Sequence, residues 1–218
     1  IPAALVAKQP DLGTALVLAL IEIIVIFTAG LRIWTIVISI IGIIGVTPIG
    51  WLFLEGYQKE RVLTVIQGGD PLGAGYHSLQ AKIAIGSGGL MGKGILGGTQ
   101  SQLHFLPAQH TDFILAVLAE ETGFLGSLWL LGLFSILVIG GARIAYRSRD
   151  FFGTLLASGI TGSLSLHVIL NVAMTTGILP VVGLPLPLMS YGGSSMVVTM
   201  FGIGLLLSIR LRRLSAGS

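Results

Sequence analysis

The sequence predicts an all-α integral membrane protein, with about five transmembrane helices and one large folded loop outside the membrane. Three features lead there: an excess of apolar over charged residues, uncharged runs of bilayer length, and basic residues gathered at alternate connections. Of the 218 residues, 53% are hydrophobic and 10% charged, whereas a soluble globular domain is roughly 45–50% apolar and 25% charged. So few charges cannot cover a water-facing surface, which excludes a soluble enzyme, a nucleic-acid binder and a disordered tail. The apolar runs are also far longer than the roughly 10-residue strands of a membrane barrel. Cysteine is absent, so neither a disulfide framework nor a thiol nucleophile enters. The first residue is Ile1, with no signal peptide ahead of the apolar sequence, as expected of a fragment or a processed chain. The whole of 1–218 reads as a single membrane domain.

A bilayer core takes about 20 mostly apolar residues per helix, and five stretches meet that length. The first, 12–30, carries only Glu22, and the second, 33–54, carries no charge. The third, 113–140, holds Glu120 and Glu121 in its first third; the fourth, 151–179, contains His167 and Asn171; the fifth, 188–209, is uncharged. Arg32 separates the first two spans, Arg143, Arg147 and Arg149 separate the third and fourth, and Arg210, Arg212 and Arg213 follow the fifth. Cytoplasmic connections collect Lys and Arg. These sites and the C-terminus therefore read as cytoplasmic, and the loop 55–112 as extracytoplasmic.

That loop is too long for a structureless connection, which seldom exceeds about 12–15 residues. Apolar residues run through it, and glycine is dense at Gly86-Ser87-Gly88-Gly89 and Gly92-Lys93-Gly94. A short amphipathic helix over 78–85, followed by tight turns with close backbone approach, is the expected arrangement. The loop reads as a folded cap at the outer interface.

Asp112 stands where this cap enters the third span. One reading is a helix start, with Thr111 as N-cap and the acid favouring the helix dipole; the other is a general base held ionised at the interface. The two are compatible, since the dipole lowers the carboxyl pKa while partial burial raises it. His110 could orient a carboxylate or bind pyrophosphate, or be an interfacial histidine with a backbone partner. Lys82, Lys93, Lys59 and Arg61 are external cations, either solvated or set beside glycines to hold a phosphate. Acids at the depth of Glu120, Glu121 and Glu22 should face a protein interior, paired or protonated. His167 and Asn171, four apart on one helix face, fit either a relay or interhelical hydrogen bonding. No metal-ligand spacing occurs. Pro180, Pro185 and Pro187, followed by Ser190-Tyr191-Gly192-Gly193-Ser194-Ser195, break the chain on the same side as Asp112. Broken helices at membrane depth imply a cavity or protein cover.

Taken together and in order, several motifs resemble the SEDS family of shape, elongation, division and sporulation proteins. They are Gln9-Pro10-Asp11-Leu12-Gly13-Thr14, Asp70-Pro71-Leu72-Gly73-Ala74-Gly75-Tyr76-His77, Ala84-Ile85-Gly86-Ser87-Gly88-Gly89, Leu106-Pro107 with His110-Thr111-Asp112-Phe113, and Pro185-Leu186-Pro187 with Ser190-Tyr191-Gly192-Gly193-Ser194. The match covers 9–213, and the Gly-Tyr-His run is closer to the rod-shape members than to the division members.

The resemblance implies a ten-span peptidoglycan glycosyltransferase of the bacterial inner membrane, of which this chain is the C-terminal half, spans six to ten. Such an enzyme polymerises lipid II by inverting transfer, with release of undecaprenyl pyrophosphate, during cell elongation. It implies Asp112 as the catalytic carboxylate, while the family's frequent acid eight residues earlier is His104 here. Substrate contacts are then expected from His110, Lys82, Lys93, Arg61, Ser190 and Tyr191, with no metal ligand assigned and with a divalent cation, magnesium or manganese, as an optional aid. Expected partners are lipid II, the growing glycan strand, a class B penicillin-binding protein and elongation-complex membrane proteins, with no nucleic acid. The fragment alone is expected to be poorly active. Two other functions fit the residues less well. A lipid-precursor flippase would use Glu22, Glu120, Glu121, His167 and Asn171, yet the distinctive sequence lies in the external loop. A non-catalytic scaffold for a penicillin-binding protein is the other.

Overall fold

The computed structural model describes residues 11–30, 76–102, 108 and 110–215, with isolated positions at 6, 34, 35, 37, 38, 41, 42, 45, 56 and 59. Among the described residues the chain is all-helical: α1 (Leu12–Thr28), α2 (Tyr76–Gly88), α3 (Thr99–Gln102), α4 (Ile114–Arg147), α5 (Phe151–Thr175) and α6 (Gly193–Ser215). Three of them, α4, α5 and α6, are long and apolar enough to cross a membrane, and α1 is a shorter apolar helix. Most of the span expected over 33–54 lies outside the described residues, as do Arg61, Asp70 and His104.

Caps set where α1 and α5 begin. The Asp11 carboxylate accepts from the Thr14 amide at 3.0 Å, and Asp150 accepts from the Gly153 amide at 2.7 Å, each meeting a donor the first turn leaves open. Helix ends depart from the expected spans. α4 runs on to Arg147 rather than stopping at 140, because Gly141 is packed against Thr161 of α5 and ends nothing. α5 stops at Thr175, and α6 starts at Gly193 rather than 188, since 187–191 is turn and bend, with Leu188 at φ 65°.

α5 is the central helix. α1 packs on it through Val17 and Leu170, and α4 through Leu130, Phe134 and Val168. α6 meets α4 and α5 at Leu206, Ala145 and Ala157. Lipid chains are as apolar as these side chains, so the association depends on close van der Waals packing. The Ala145–Ala157–Leu206 contact also joins the C-terminal ends of α4 and α6 to the start of α5, so Arg143, Arg147, Arg149, Arg210 and Arg212 gather at one end of the bundle.

The cap forms the expected helix but inverts its expected amphipathicity. α2 turns Ala81, Ala84 and Gly88 inward and leaves Leu79 and Ile83 about 40% exposed. The small face lets α2 lie against α4, where Ala81 and Ala84 cluster with Phe113 and Ala116. After α2 the chain closes onto a break in α4. Gly123 there has φ 72° and ψ −167°, a backbone setting that strains any residue with a Cβ. The break frees backbone groups that the turn of 88–94 satisfies. The Lys93 and Gly94 amides donate to the Glu120 and Glu121 carbonyls, both at 3.0 Å, and the Phe124 and Leu125 amides donate to Gly89 and Leu90, at 2.9 and 3.2 Å. Non-helical backbone within a span survives where protein supplies such partners.

Glu120 is fully buried and paired, as its depth demands: Lys93 Nζ lies 2.8 Å from Oε1. The same oxygen accepts from the Gln100 amide at 3.0 Å and from the Thr99 hydroxyl at 3.2 Å. Glu121 accepts from the Leu96 amide at 3.1 Å. Glu22 departs from expectation, because its face of α1 is exposed, uncovered by the described residues.

Candidate active site

At the bundle end opposite the arginines, Ala108 and residues 110–113 lie in a tight turn ahead of α4. The Ala108 carbonyl accepts from the amides of Thr111, Asp112 and Phe113 at 3.1, 3.1 and 3.3 Å. Phe113, 2% exposed, anchors this turn in the apolar contact with α2. The turn corrects the reading of Thr111 as N-cap. The N-cap is Phe113, which makes no side-chain cap bond, and the Thr111 hydroxyl donates back to the Ala108 carbonyl at 3.3 Å. Three amides converging on one carbonyl leave Thr111 no free end of helix to cap, and Asp112 precedes the helix.

A second segment is tied to this turn. The Ser190 hydroxyl donates to the Thr111 carbonyl at 2.5 Å and accepts from the Leu186 amide at 2.7 Å. The Tyr191 amide donates to the His110 carbonyl at 2.8 Å. Fully buried Asn171 of α5 donates from Nδ2 to the Asp112 carbonyl at 2.9 Å and to the Leu184 carbonyl at 2.7 Å. His167 is not its partner, since Nδ1 of that ring pairs with the Ser163 carbonyl at 2.8 Å. The Asp112 carboxylate faces the Gly183 turn, where a Cβ would stand 3.6 Å from Oδ2.

Burial holds the Asp112 carboxyl above its ordinary pKa, and the Thr111 hydroxyl, shared with the Ala108 carbonyl, offsets part of that rise. These are the opposing influences expected at an interface, with the neighbouring hydroxyl in the place assigned to a helix dipole. An adjoining cavity of about 710 Å³ is lined by His110, Ile114, Met189, Ser190, Tyr191 and Gly192. Three of the expected substrate-contact residues, His110, Ser190 and Tyr191, thus share one cavity, and Asp112 itself is not in its lining.

The expected cations divide. Lys82 lies at the C-terminal end of α5: a Cβ on Gly177 would stand 2.5 Å from its Nζ and 2.8 Å from the Ser78 hydroxyl. Lys93 is held by Glu120 and by the Thr99 hydroxyl, 2.9 Å from Nζ. Arg61 is outside the described residues. Sequence reasoning missed the reach of Asn171 to Asp112 and the contact with Gly183. Its one usable signal was an amide in an otherwise apolar span.

The sequence matches, over residues 1–214, the family described as Cell cycle protein, comprising FtsW, RodA and SpoVE. The chain belongs to this family. Among curated FtsW/RodA/SpoVE relatives, the peptidoglycan glycosyltransferase MrdB of Escherichia coli K12 is 51% identical over 214 residues, covering 97% of this chain and 58% of MrdB. The chain therefore spans little more than half of that relative. A chain of a solved peptidoglycan synthase complex that coordinates polymerization and crosslinking is similar at TM-score 0.79 and 34% identity, covering 97% of this chain and 59% of that one. The crystal structure of the rod shape determining protein RodA from Thermus thermophilus is similar at TM-score 0.62 and 31% identity, covering 97% and 53%. With its apolar helices and bacterial relatives, this member of the family is a membrane protein.

Proposed function

We propose that the chain is the C-terminal part of a peptidoglycan glycosyltransferase that polymerises lipid II, with Asp112 as its general base. The observation that carries this reading is a half-buried carboxylate at the end of the bundle away from the arginines, on a turn whose His110 and Ile114 line a cavity. An acceptor sugar hydroxyl seated against Asp112 gives up its proton as its oxygen attacks the anomeric carbon of the donor. The carbon–oxygen bond to the lipid pyrophosphate breaks, and the configuration at that carbon inverts. Pyrophosphate leaves as a stable anion, so it needs charge stabilisation more than a proton.

Lys82 is the candidate for that stabilisation, since the Lys93 ammonium is engaged by Glu120. His110, Ser190 and Tyr191 border the cavity and are the candidates for sugar or phosphate contact. Among the described residues no three His, Cys, Asp or Glu side chains group to hold a metal ion. A magnesium or manganese ion would be held largely through the substrate's phosphates with one or two protein carboxylates, a common arrangement for magnesium. A groove of about 730 Å³ between α5 and α6 is lined by apolar residues such as Leu155, Ile160, Val198 and Phe201 and reaches Pro187 and Ser194. The prenyl chain of a lipid-linked sugar fits that lining, because the groove ends at the segment bordering the cavity of His110 and Tyr191.

The loop side is read as extracytoplasmic and the arginine end as cytoplasmic, by the preference of basic residues for the inner face. The partner would be a class B penicillin-binding protein supplying the crosslinking step, in keeping with the similar synthase complex. The flippase alternative is the less favoured reading, because among the described residues Glu120 pairs with Lys93, His167 with the Ser163 carbonyl and Asn171 with the Asp112 and Leu184 carbonyls rather than with one another.

Asp112→Asn in the full-length protein should abolish glycan polymerisation from purified lipid II while leaving binding to the penicillin-binding protein intact. Polymer formed at the parent's rate would exclude Asp112 as the base.

A further inference from the structure

Asn171 uses one nitrogen to hold two backbone carbonyls from segments far apart in sequence. Both the Asp112 and the Leu184 oxygens lie within hydrogen-bond reach of Nδ2, at 2.9 and 2.7 Å. A single donor atom therefore sets the separation between the turn carrying the carboxylate and the turn that faces it. The side chain is wholly buried, and its Oδ1 finds no hydrogen-bond partner among the described residues. Leaving a buried polar atom unmet opposes folding. Apolar contact through Phe113, Leu184 and Leu186 already seals the region, so a directional bond adds orientation rather than burial.

The rest of the Asp112 backbone is fixed as well. Its amide is bound to the Ala108 carbonyl at 3.1 Å, and the preceding carbonyl is held by Ser190. Of these ties, the one from α5 connects the site to the central helix of the bundle. We propose that Asn171 is a positioning residue for Asp112, its amide locking the peptide after the carboxylate to the Gly183–Leu184 turn. A reacting group displaced by about 1 Å loses on the order of a hundredfold in rate, which is the scale of error such a lock prevents.

The inference rests on Asp112 being the base, and the test separates the two. In the full-length protein bound to its penicillin-binding protein, initial rates of polymerisation are measured against lipid II concentration. Asn171→Asp keeps the shape and removes the amide hydrogens; Asn171→Ser is too short to reach both carbonyls. Thr175→Val is the control, one turn along α5, where a buried hydroxyl donates at 2.6 Å to the Asn171 carbonyl without touching the site. Asn171→Asp and Asn171→Ser should lower kcat about ten- to a hundredfold with KM unchanged, while Thr175→Val keeps the parent's kcat. If either folded Asn171 variant turns over at the parent's rate, or if neither yields folded protein, the role is architectural and the proposal is overturned. Asp112→Asn is run alongside. Its inactivity keeps the base reading standing whatever Asn171 does, and its activity removes both.

Discussion

Asp112 loses part of its water on folding, and that burial pushes its carboxyl pKa above the ordinary value. The folded chain binds this proton more tightly than the unfolded chain does. The ionised carboxylate therefore opposes folding above both pKa values, and the opposition disappears as pH falls below the ordinary value of about 3.8. A neutral amide escapes it. Asp112→Asn should accordingly melt at or above the parent's temperature at pH 7 in detergent, the two converging near pH 4 and below. For activity the sign reverses, because a base works only when deprotonated. The acid limb of the pH–rate profile should lie above the ordinary carboxylate range, and a limb at or below pH 3.8 would place the titrating group elsewhere.

Between residue and bundle, the decisive feature is the join between the cap and α4. Glu120 gathers donors from α2, from the turn after it and from α3: Ser87 at 3.4 Å, Lys93 at 2.8 Å, and Thr99 and the Gln100 amide beside them. Just beyond it the break at Gly123 turns backbone groups outward to the same turn. Gly92 has no room for a side chain there, because a Cβ would run into the Glu121 carbonyl. Glu120→Ala would strand the Lys93 ammonium and the donors around it. Breaking a buried pair costs about 3–5 kcal/mol, and the lower figure applies here, since the Lys93 side chain is 27% exposed and keeps some hydration. Thermal unfolding in detergent should show a clear fall in midpoint, with limited proteolysis cutting first between 89 and 98. An unchanged midpoint would mean that the backbone bonds at the break hold the cap unaided.

Across the bundle, charge and chemistry occupy opposite ends. The arginines collect where α4 and α6 finish, and Asp112, His110, Ser190 and Tyr191 collect where α4 and α6 begin. These 218 residues hold no cysteine, so once any elsewhere in the full-length protein is replaced, a single introduced cysteine reports the orientation. A cysteine placed at Tyr191, 83% exposed, should react with a membrane-impermeant maleimide in intact cells, and one at Tyr146, 90% exposed, should react only after lysis. The reverse pattern would turn the proposed enzyme inside out. Glu22 bears on the same scale. An acid facing lipid near the middle of a span is costly, so the exposed face of α1 calls for cover, and MrdB carries residues beyond the 58% of its length matched here.

Composition and local pattern were enough to specify helices, their membrane character and the segregation of arginine, because each depends on residues close together in sequence. They also singled out Asp112, since a carboxylate at the mouth of an apolar run stands out without any fold. Helix limits were less legible: Gly140 and Gly141 look like a stop, and only contact with Thr161 makes them a packing surface. The partners of Asn171 and Lys93 could not be read locally at all. Asn171 meets Asp112 across 59 residues, and Lys93 meets Glu120 across 27. A buried polar atom must find a complement wherever packing brings one, and that choice is made when α2, α4 and α5 come together, not by the residues next to it in the chain.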